Sequence, residues 1–459
     1  MPAQIEALRD RRQALLETYG VRAPRYTSYP TAAQFTAAVD ADVHAGWLAT
    51  LPATEPASLY VHIPFCRRLC WYCGCNTRVV NGAGPVSRYV ERLREELALA
   101  EALAPAKLKA TRIHLGGGTP NVLSRDDLAV LFDALRQVFR VPAAAEISAE
   151  IDPVVFTEDW ARAAVFHGLT RVSLGVQDLT PAVQQAINRN EPFSVIVDAV
   201  RILRGLGVGS VNFDLMYGLP LQRTTDVLNT LARVLTLRPD RLALFGYAHV
   251  PWMKPHQKLI DEVTLPDAVE RLDQSEAAAE LLTAEGYVRI GLDHFALPTD
   301  PLALAAQEGR LARDFQGYGG ARPATLLGFG VSAISEFRQG LAQNQATELA
   351  WGQALDRGVL PTARGVAFSP QDRLRGEVIE RLMCDFQVDL AATCATHGVT
   401  PAALDSAGPA LGALESDALI ERPGSSVMVT PLGRPYVRAV CAAFDAYLEP
   451  DTRRHALAV

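Results

Sequence analysis

Lysine is nearly missing from this chain. Of 44 basic residues only Lys107, Lys109, Lys254 and Lys258 are lysine, and acids outnumber bases to give a formal net charge of -7. That balance argues against nucleic acid or an anionic membrane surface as the principal partner. No run of uncharged apolar residues is long enough to predict a transmembrane helix. The opening stretch MPAQIEALRDRRQ lacks the apolar segment of a secretion signal, so a cytosolic protein is expected. Repeats and low-complexity tracts are absent as well. In a reducing compartment the seven cysteines are not expected to pair as structural disulfides.

What is present is a soluble globular composition, 49% apolar and 21% charged over 459 residues, enough for two or three domains with a large core. An irregular N-terminal region is expected through residue 56, containing the Pro- and Tyr-rich stretch RAPRYTSYPTAAQF. The middle alternates β-branched runs with helical periods, the pattern of βα units. Strands are predicted at 58–63, 111–116, 146–151, 171–176, 211–216 and 241–247, with helices such as 86–103 and 124–139. Ser124 followed by Asp126 and Asp127 is a good helix start. Such a series fits a doubly wound sheet or a partial barrel, and periodicity does not separate the two. Towards the C-terminus, helices around a short β-like segment at Pro423–Gly424 read as a winged-helix-like module. Residues 361–459 hold nine arginines against twelve acids, which speaks against DNA binding and for a packing or covering role.

Four of the seven cysteines fall within ten residues, in YVHIPFCRRLCWYCGCN, directly after the first predicted strand. Cys66, Cys70 and Cys73 are spaced C-x3-C-x2-C, with Cys75 following. Three thiolates on a loop suit three irons of a [4Fe–4S] cluster, with the fourth iron left open. Zinc, or cysteines used only for packing, are the alternatives; zinc usually takes two separated pairs, and the nearest histidine, His62, is expected to point elsewhere. Trp71 and Tyr72 would shield such a cluster from water.

The C-x3-C-x2-C loop resembles that of the radical S-adenosylmethionine (SAM) enzymes. More narrowly, the chain resembles the oxygen-independent coproporphyrinogen III oxidase family nearly end to end, through PRYTSYPTA, the cysteine loop, HLGGGTPNVL, EISAEIDP, RVSLGVQD, INRN, NFDLMYGLP, FGYAHVPWMKPHQ, GLDHFA, LLGFGVSAIS and ERLMCDF. The resemblance implies a partial (β/α)6 barrel at 57–345, an N-terminal arm at 1–56 covering the active site, and an α-rich, winged-helix-like domain at 346–459. It implies a [4Fe–4S] cluster on Cys66, Cys70 and Cys73, with Cys75 outside the ligand set, and SAM, in two molecules. Gly117, Gly118, Thr119 and Glu150 would contact the first SAM, and Gln177, Arg189, Asp214 and Ala248 the second. Tyr60, Tyr72 and Ile334 also match cofactor positions.

The implied reaction converts coproporphyrinogen III to protoporphyrinogen IX by decarboxylating two propionates, with a flavodoxin or ferredoxin as reductant and the chain acting as a monomer. Arg25 and Tyr26 of the arm are expected at the catalytic centre, beside Tyr29, and Arg22, Lys254 and His256 are further candidates for holding the carboxylates. Leu341 departs from an aromatic common in the family. A haem chaperone of the related branch, or a methyltransferase or haem-degrading relative, would share the cluster but has less reason to match the arm.

Overall fold

The computed structural model describes residues 2–20, 23–321 and 324–448; the candidate Arg22 lies outside them. Six parallel strands form as predicted, within two residues at each end: β1 (Pro56–Ile63), β2 (Lys109–Gly117), β3 (Glu146–Ile151), β4 (Arg171–Gln177), β5 (Ser210–Tyr217) and β6 (Arg241–Gly246). They lie side by side in chain order. An order without reversal leaves every right-handed crossover helix on one face, so the sheet curls into a partial barrel. A doubly wound sheet needs a reversal and is excluded.

Residues alternate along each strand. Leu59, Val61, Ile113, Leu115, Ile147, Ala149, Val172, Leu174, Val211 and Phe213 are buried in one continuous core against the helices. Their neighbours on the inner face include Tyr60, His62, His114, Ser148, Glu150, Ser173, Asn212 and Asp214. The helix Arg125–Val138 is typical of the outer layer: Ser124 and Asp127 form a reciprocal cap, and Leu128, Leu131, Phe132 and Leu135 face the sheet.

Further strands extend both edges. β7 (Val288–Ile290) and β8 (His294–Ala296) follow β6, while β9 (Thr325–Phe329) runs parallel to β1 and leads to β10 (Ile334–Phe337), β11 (Gly340–Asn344) and β12 (Thr362–Ala367). The barrel's sheet therefore continues past residue 345, where the catalytic domain was expected to end. The C-terminal unit begins with the helix Pro370–Asp385 and contains a three-stranded antiparallel sheet with Ser426–Val429 at its centre, a winged-helix-like arrangement.

The N-terminal region is less irregular than expected. Helices occupy Pro2–Tyr19 and Ala41–Ala49, the second capped by the Asp40 carboxylate on the N–H groups of Asp42 and Val43. Among the described residues, the proline-bearing stretch between them is non-helical apart from one short turn at Ala32–Gln34. Leu15, Leu16, Tyr26 and Tyr29 join a second core with Val378, Leu382, Tyr436 and Phe444, so the arm packs on the C-terminal unit. Among the described residues, no helix is long and apolar enough to cross a membrane.

Glu96 ties the outer helix Gly84–Leu103 to the β9–β11 edge. Its carboxylate accepts from the Gly330 N–H at 2.8 Å, Asn344 Nδ2 at 2.6 Å and Trp351 Nε1 at 3.1 Å. Burial, only partly opposed by these donors, raises its pKa from an ordinary 4.5 to about 7. Between those values the folded state binds more protons than the unfolded chain, so this site's contribution to stability falls as pH rises. Denaturant unfolding of E96A should show a loss of about 3 kcal/mol, because buried donors lose their acceptor, and unfolding of E96Q across pH 4.5–7 should lack that decline.

Candidate active site

The cysteine loop leaves the C-terminal end of β1. Phe65–Cys66 pairs with Arg78–Val79 and closes the loop at its base. Distant segments hold the rest by its backbone. Trp71 N–H donates to the Ile187 carbonyl at 3.0 Å and Asn188 Nδ2 to the Leu69 carbonyl at 2.9 Å. On the other side, Gln257 Nε2 donates to the Tyr72 carbonyl (2.9 Å), His256 Nε2 to the Cys73 carbonyl (2.7 Å) and Lys254 Nζ to the Cys75 carbonyl (3.0 Å). Lys254 and His256, expected to hold substrate carboxylates, are thus engaged with the loop. His62 is also part of the site. Its Nε2 donates to the Asn76 carbonyl at 2.8 Å, which leaves Nδ1 to accept from the Tyr60 hydroxyl at 3.0 Å.

Cys66, Cys70 and Cys73 all border one cavity of about 370 Å³. The Thr119 hydroxyl donates to Cys66 Sγ at 3.3 Å, Arg189 Nη1 to Cys70 Sγ at 3.5 Å and Cys75 N–H to Cys73 Sγ at 3.4 Å. The Cys75 thiol, the Cys75 N–H, Lys254 and Arg189 outweigh burial and bring the Cys73 thiol down to about 7; burial pushes Cys66 up, and the hydrogen bond to Cys73, the Cys73 charge and burial push Cys75 up. Every sulfur of the triad therefore faces a donor suited to a thiolate. Among the described residues no three His, Cys, Asp or Glu side chains are grouped to hold a single metal ion. Three donor-assisted sulfurs on one wall fit a cluster with separate irons better than one tetrahedral zinc.

The strand ends complete the cavity with Tyr72, Gly117, Gly118, Thr119, Glu150, Gln177, Arg189, Asp214, Ala248 and the arm's Arg25. Gly117 has φ +113°, and a Cβ there would lie 2.5 Å from the His62 ring; one on Gly118 would meet Thr77 and the Phe65 carbonyl at 2.7 Å. The glycines are needed for close packing under the loop. Burial would raise the Glu150 carboxyl, but His114 at 3.3 Å, the Gly117 N–H at 3.1 Å and His62 outweigh it and hold it below the usual range. Asp214 accepts from Ser173 Oγ (2.7 Å) and Asn212 Nδ2 (2.8 Å) while burial raises its pKa. Gln177 has φ +64° and follows a bulge between β4 and β5, a strained position of the kind found in binding sites. Arg189 is buried against Glu191 at 2.9 Å and the Gly175 carbonyl at 2.6 Å.

Besides Lys254 and His256, four expected site residues do not border the cavity. Tyr26 is turned into the core shared with the C-terminal unit, where its hydroxyl meets Asp445 at 3.1 Å. Tyr29 packs in that core too. Ile334 starts β10, on the far side of β9 from β1. Tyr60 stacks on His114, with ring centroids 5.9 Å apart, and a Cβ on Gly116 would lie 2.8 Å from its ring.

A second cavity of about 420 Å³ adjoins the first, with Arg25, Cys75, Glu150, Phe245, Tyr247 and Ala248 common to both walls. Arg271, Arg289, Arg313 and Arg438 border it.

The radical SAM superfamily model matches residues 60–234, and the HemN C-terminal domain model matches residues 368–436. The chain is 45% identical to the oxygen-independent coproporphyrinogen III oxidase of Bradyrhizobium diazoefficiens, across 98% of this chain and all of that one. It is 44% identical to the anaerobic coproporphyrinogen III oxidase 1 of Cereibacter sphaeroides, across 96% and 98% of the two chains. The solved structure of coproporphyrinogen III oxidase from Escherichia coli, a radical SAM enzyme, superposes with a TM-score of 0.88 at 37% identity, covering 92% of this chain and 98% of that one. The chain belongs to the oxygen-independent coproporphyrinogen III oxidase family.

Membership in this radical SAM family implies a [4Fe–4S] cluster and SAM, and the donor-faced thiols and polar strand ends suit both. The four arginines of the second cavity were not identified from sequence. They are scattered from residue 271 to 438 in segments with no shared motif, and arginine is the ordinary cation of this chain. The inward alternation of His62, His114, Ser173 and Asn212 did carry a signal, since polar residues at every second position of a buried parallel strand require an aqueous or ligand-filled face. Removing the His256 clamp should loosen the cysteine loop without disturbing the barrel. In H256A, amide hydrogen exchange over residues 71–76 should quicken about tenfold, the equivalent of one hydrogen bond, with β1 and β2 unchanged.

Proposed function

We propose that this chain carries out the oxygen-independent oxidative decarboxylation of coproporphyrinogen III, turning two propionates into vinyl groups to give protoporphyrinogen IX. The observation that carries the reading is the convergence of Cys66, Cys70, Cys73, the glycine turn, Glu150 and Asp214 on one cavity. Near-full-length identity to oxidases of this name supports the substrate. When bound, the cluster and SAM would supply reductive cleavage of SAM and hydrogen-atom abstraction, the chemistry that loss of a propionate carboxyl as CO2 calls for, with one further electron passed to an external acceptor.

The protein's part is binding, orientation and exclusion of water. Cys66, Cys70 and Cys73 are the cluster ligands in this proposal, and Cys75 is not. An ionised Glu150 offers an acceptor for the ammonium of SAM's methionine part, beside Gly117, Gly118 and Thr119. Gln177, Arg189, Asp214 and Ala248 serve a second SAM. The Asp214 carboxylate, steadied by Ser173 and Asn212, suits ribose hydroxyls. Tyr72 covers the cluster side, and Phe245 and Tyr247 keep water from the radical's path. Arg25 brings a cation to the mouth shared by the two cavities. The chain is taken to act as a cytoplasmic monomer reduced by a flavodoxin or ferredoxin.

Anaerobically reconstituted protein, given SAM, a reductant, an electron acceptor and coproporphyrinogen III, should form a product lighter by two CO2 together with deoxyadenosine, as read by mass spectrometry. An untouched macrocycle with SAM still cleaved would reject the substrate. C66S, C70S and C73S should each abolish turnover and the visible cluster absorbance, whereas C75S should keep the absorbance.

A further inference from the structure

The cations of the second cavity come from separate parts of the fold. Arg25 lies on the arm, Arg271 on the helix Ala268–Ala284, Arg289 on β7, Arg313 on the hairpin spanning 312–319, and Arg438 on the helix Val437–Ala442. Two carboxylates border the same space, and both are engaged. Asp293 is 2.8 Å from His294 Nδ1 and 3.9 Å from Arg313, and Glu150 is bound by the Gly117 N–H and His114. Arg271 and Arg313 are each only 8% exposed. Even so, Nε of Arg271, Nε of Arg289, and Nε and Nη1 of Arg313 find no hydrogen-bond partner among the described residues. Nη1 of Arg271 reaches the Gly218 carbonyl only at 3.5 Å, and the Arg313 guanidinium lies 4.5 Å from the Tyr318 ring centroid.

Asp293 steadies the Arg313 guanidinium, but among the described residues no carboxylate is paired with Arg271 or Arg289, and burying such guanidiniums in an acidic protein is unfavourable through desolvation and mutual repulsion. Burial and the neighbouring Arg25 hold both Arg271 and Arg438 below the usual arginine range. An entering polyanion offsets that cost. Between the cations the walls are apolar and aromatic, with Phe245, Phe315 and Leu292. The cavity thus matches a flat apolar body with several carboxylates on its rim.

We propose that this cavity is the carboxylate-reading chamber for the macrocycle, in which Arg271, Arg289 and Arg313 grip propionates that are not reacting while Arg25 holds the one presented to the cofactor side. The assignment rests on the decarboxylase reading above and specifies what it requires of the substrate. Guanidinium forks pair with carboxylates through two N–H donors, which a lysine cannot reproduce.

The test uses the full-length holoenzyme and the stable oxidised macrocycle coproporphyrin III, whose binding is read by fluorescence, beside its tetramethyl ester. The tetraacid should bind at least tenfold more tightly than the ester. R271Q and R289Q should each weaken the tetraacid by roughly 10-fold to 100-fold, R271K should restore only part of the loss, and SAM affinity should stay unchanged. Equal binding of acid and ester, wild-type affinity in both Gln variants, or a parallel loss of SAM affinity would overturn the chamber. Should a variant fail to fold, the acid–ester comparison on the unaltered protein decides. Turnover of coproporphyrinogen III is scored separately. Normal turnover with equal acid and ester binding rejects the chamber and leaves the activity standing. Tight, acid-selective binding without turnover rejects the activity and leaves a polycarboxylate site.

Discussion

Every second residue of the six parallel strands turns away from the helices, and in this chain most of those positions are polar. Buried polar groups are costly unless satisfied, and here many of them satisfy one another across the strands, while Ser58 Oγ, Ser210 Oγ and Asn212 Oδ1 find no partner among the described residues. Asp214 is held by Ser173 and Asn212, Glu150 by His114, and His114 in turn lies 2.8 Å from Ser148. The apolar face against the helices supplies the hydrophobic contribution alone. That division of labour lets a parallel sheet, normally apolar on both faces, keep a hydrophilic bore with its acids at fixed heights.

The cysteine loop depends on the same barrel but is held differently. It has little regular structure, and its backbone carbonyls are met by side chains from far along the chain, His256 standing 183 residues from Cys73. Two loops at the ends of different strands grip it from opposite sides. Cys66 and Cys70 receive donors from Thr119 and Arg189 outside the loop, and Cys73 receives the Cys75 N–H within it, so thiolate character comes from the barrel and from the loop's own turn together.

Much of this was legible in the sequence. The six strands emerged from their β-branched runs, and the helix at Arg125–Val138 from Ser124 and the acids after it, because these signals are local. Most residues expected to contact cofactor do border one cavity, since strand ends bring them together whatever their separation. The differences share a cause. Lys254 and His256 were chosen for their charge and Tyr26 for its place in the arm, but their contacts with Cys75, Cys73 and Asp445 are set by tertiary packing. The N-terminal helix was hidden behind the proline-rich stretch that follows it. Whether the barrel ended at residue 345 turned on β12, whose pairing with β11 only the sheet reveals.

Arg438 has two attachments at once. From the C-terminal unit its Nε donates to the Pro24 carbonyl at 2.9 Å and its Nη2 to the Ala23 carbonyl, and the same side chain borders the arginine-lined cavity. Docking the arm therefore anchors it to Arg438 and brings Arg25 close to that guanidinium, a repulsion that an anion between them relieves. By thermodynamic reciprocity, whatever favours the seated arm favours the anion, and the anion in turn seats the arm. An anion held in the proposed chamber would thus strengthen the arm's attachment to Arg438 as well as filling the space beside it.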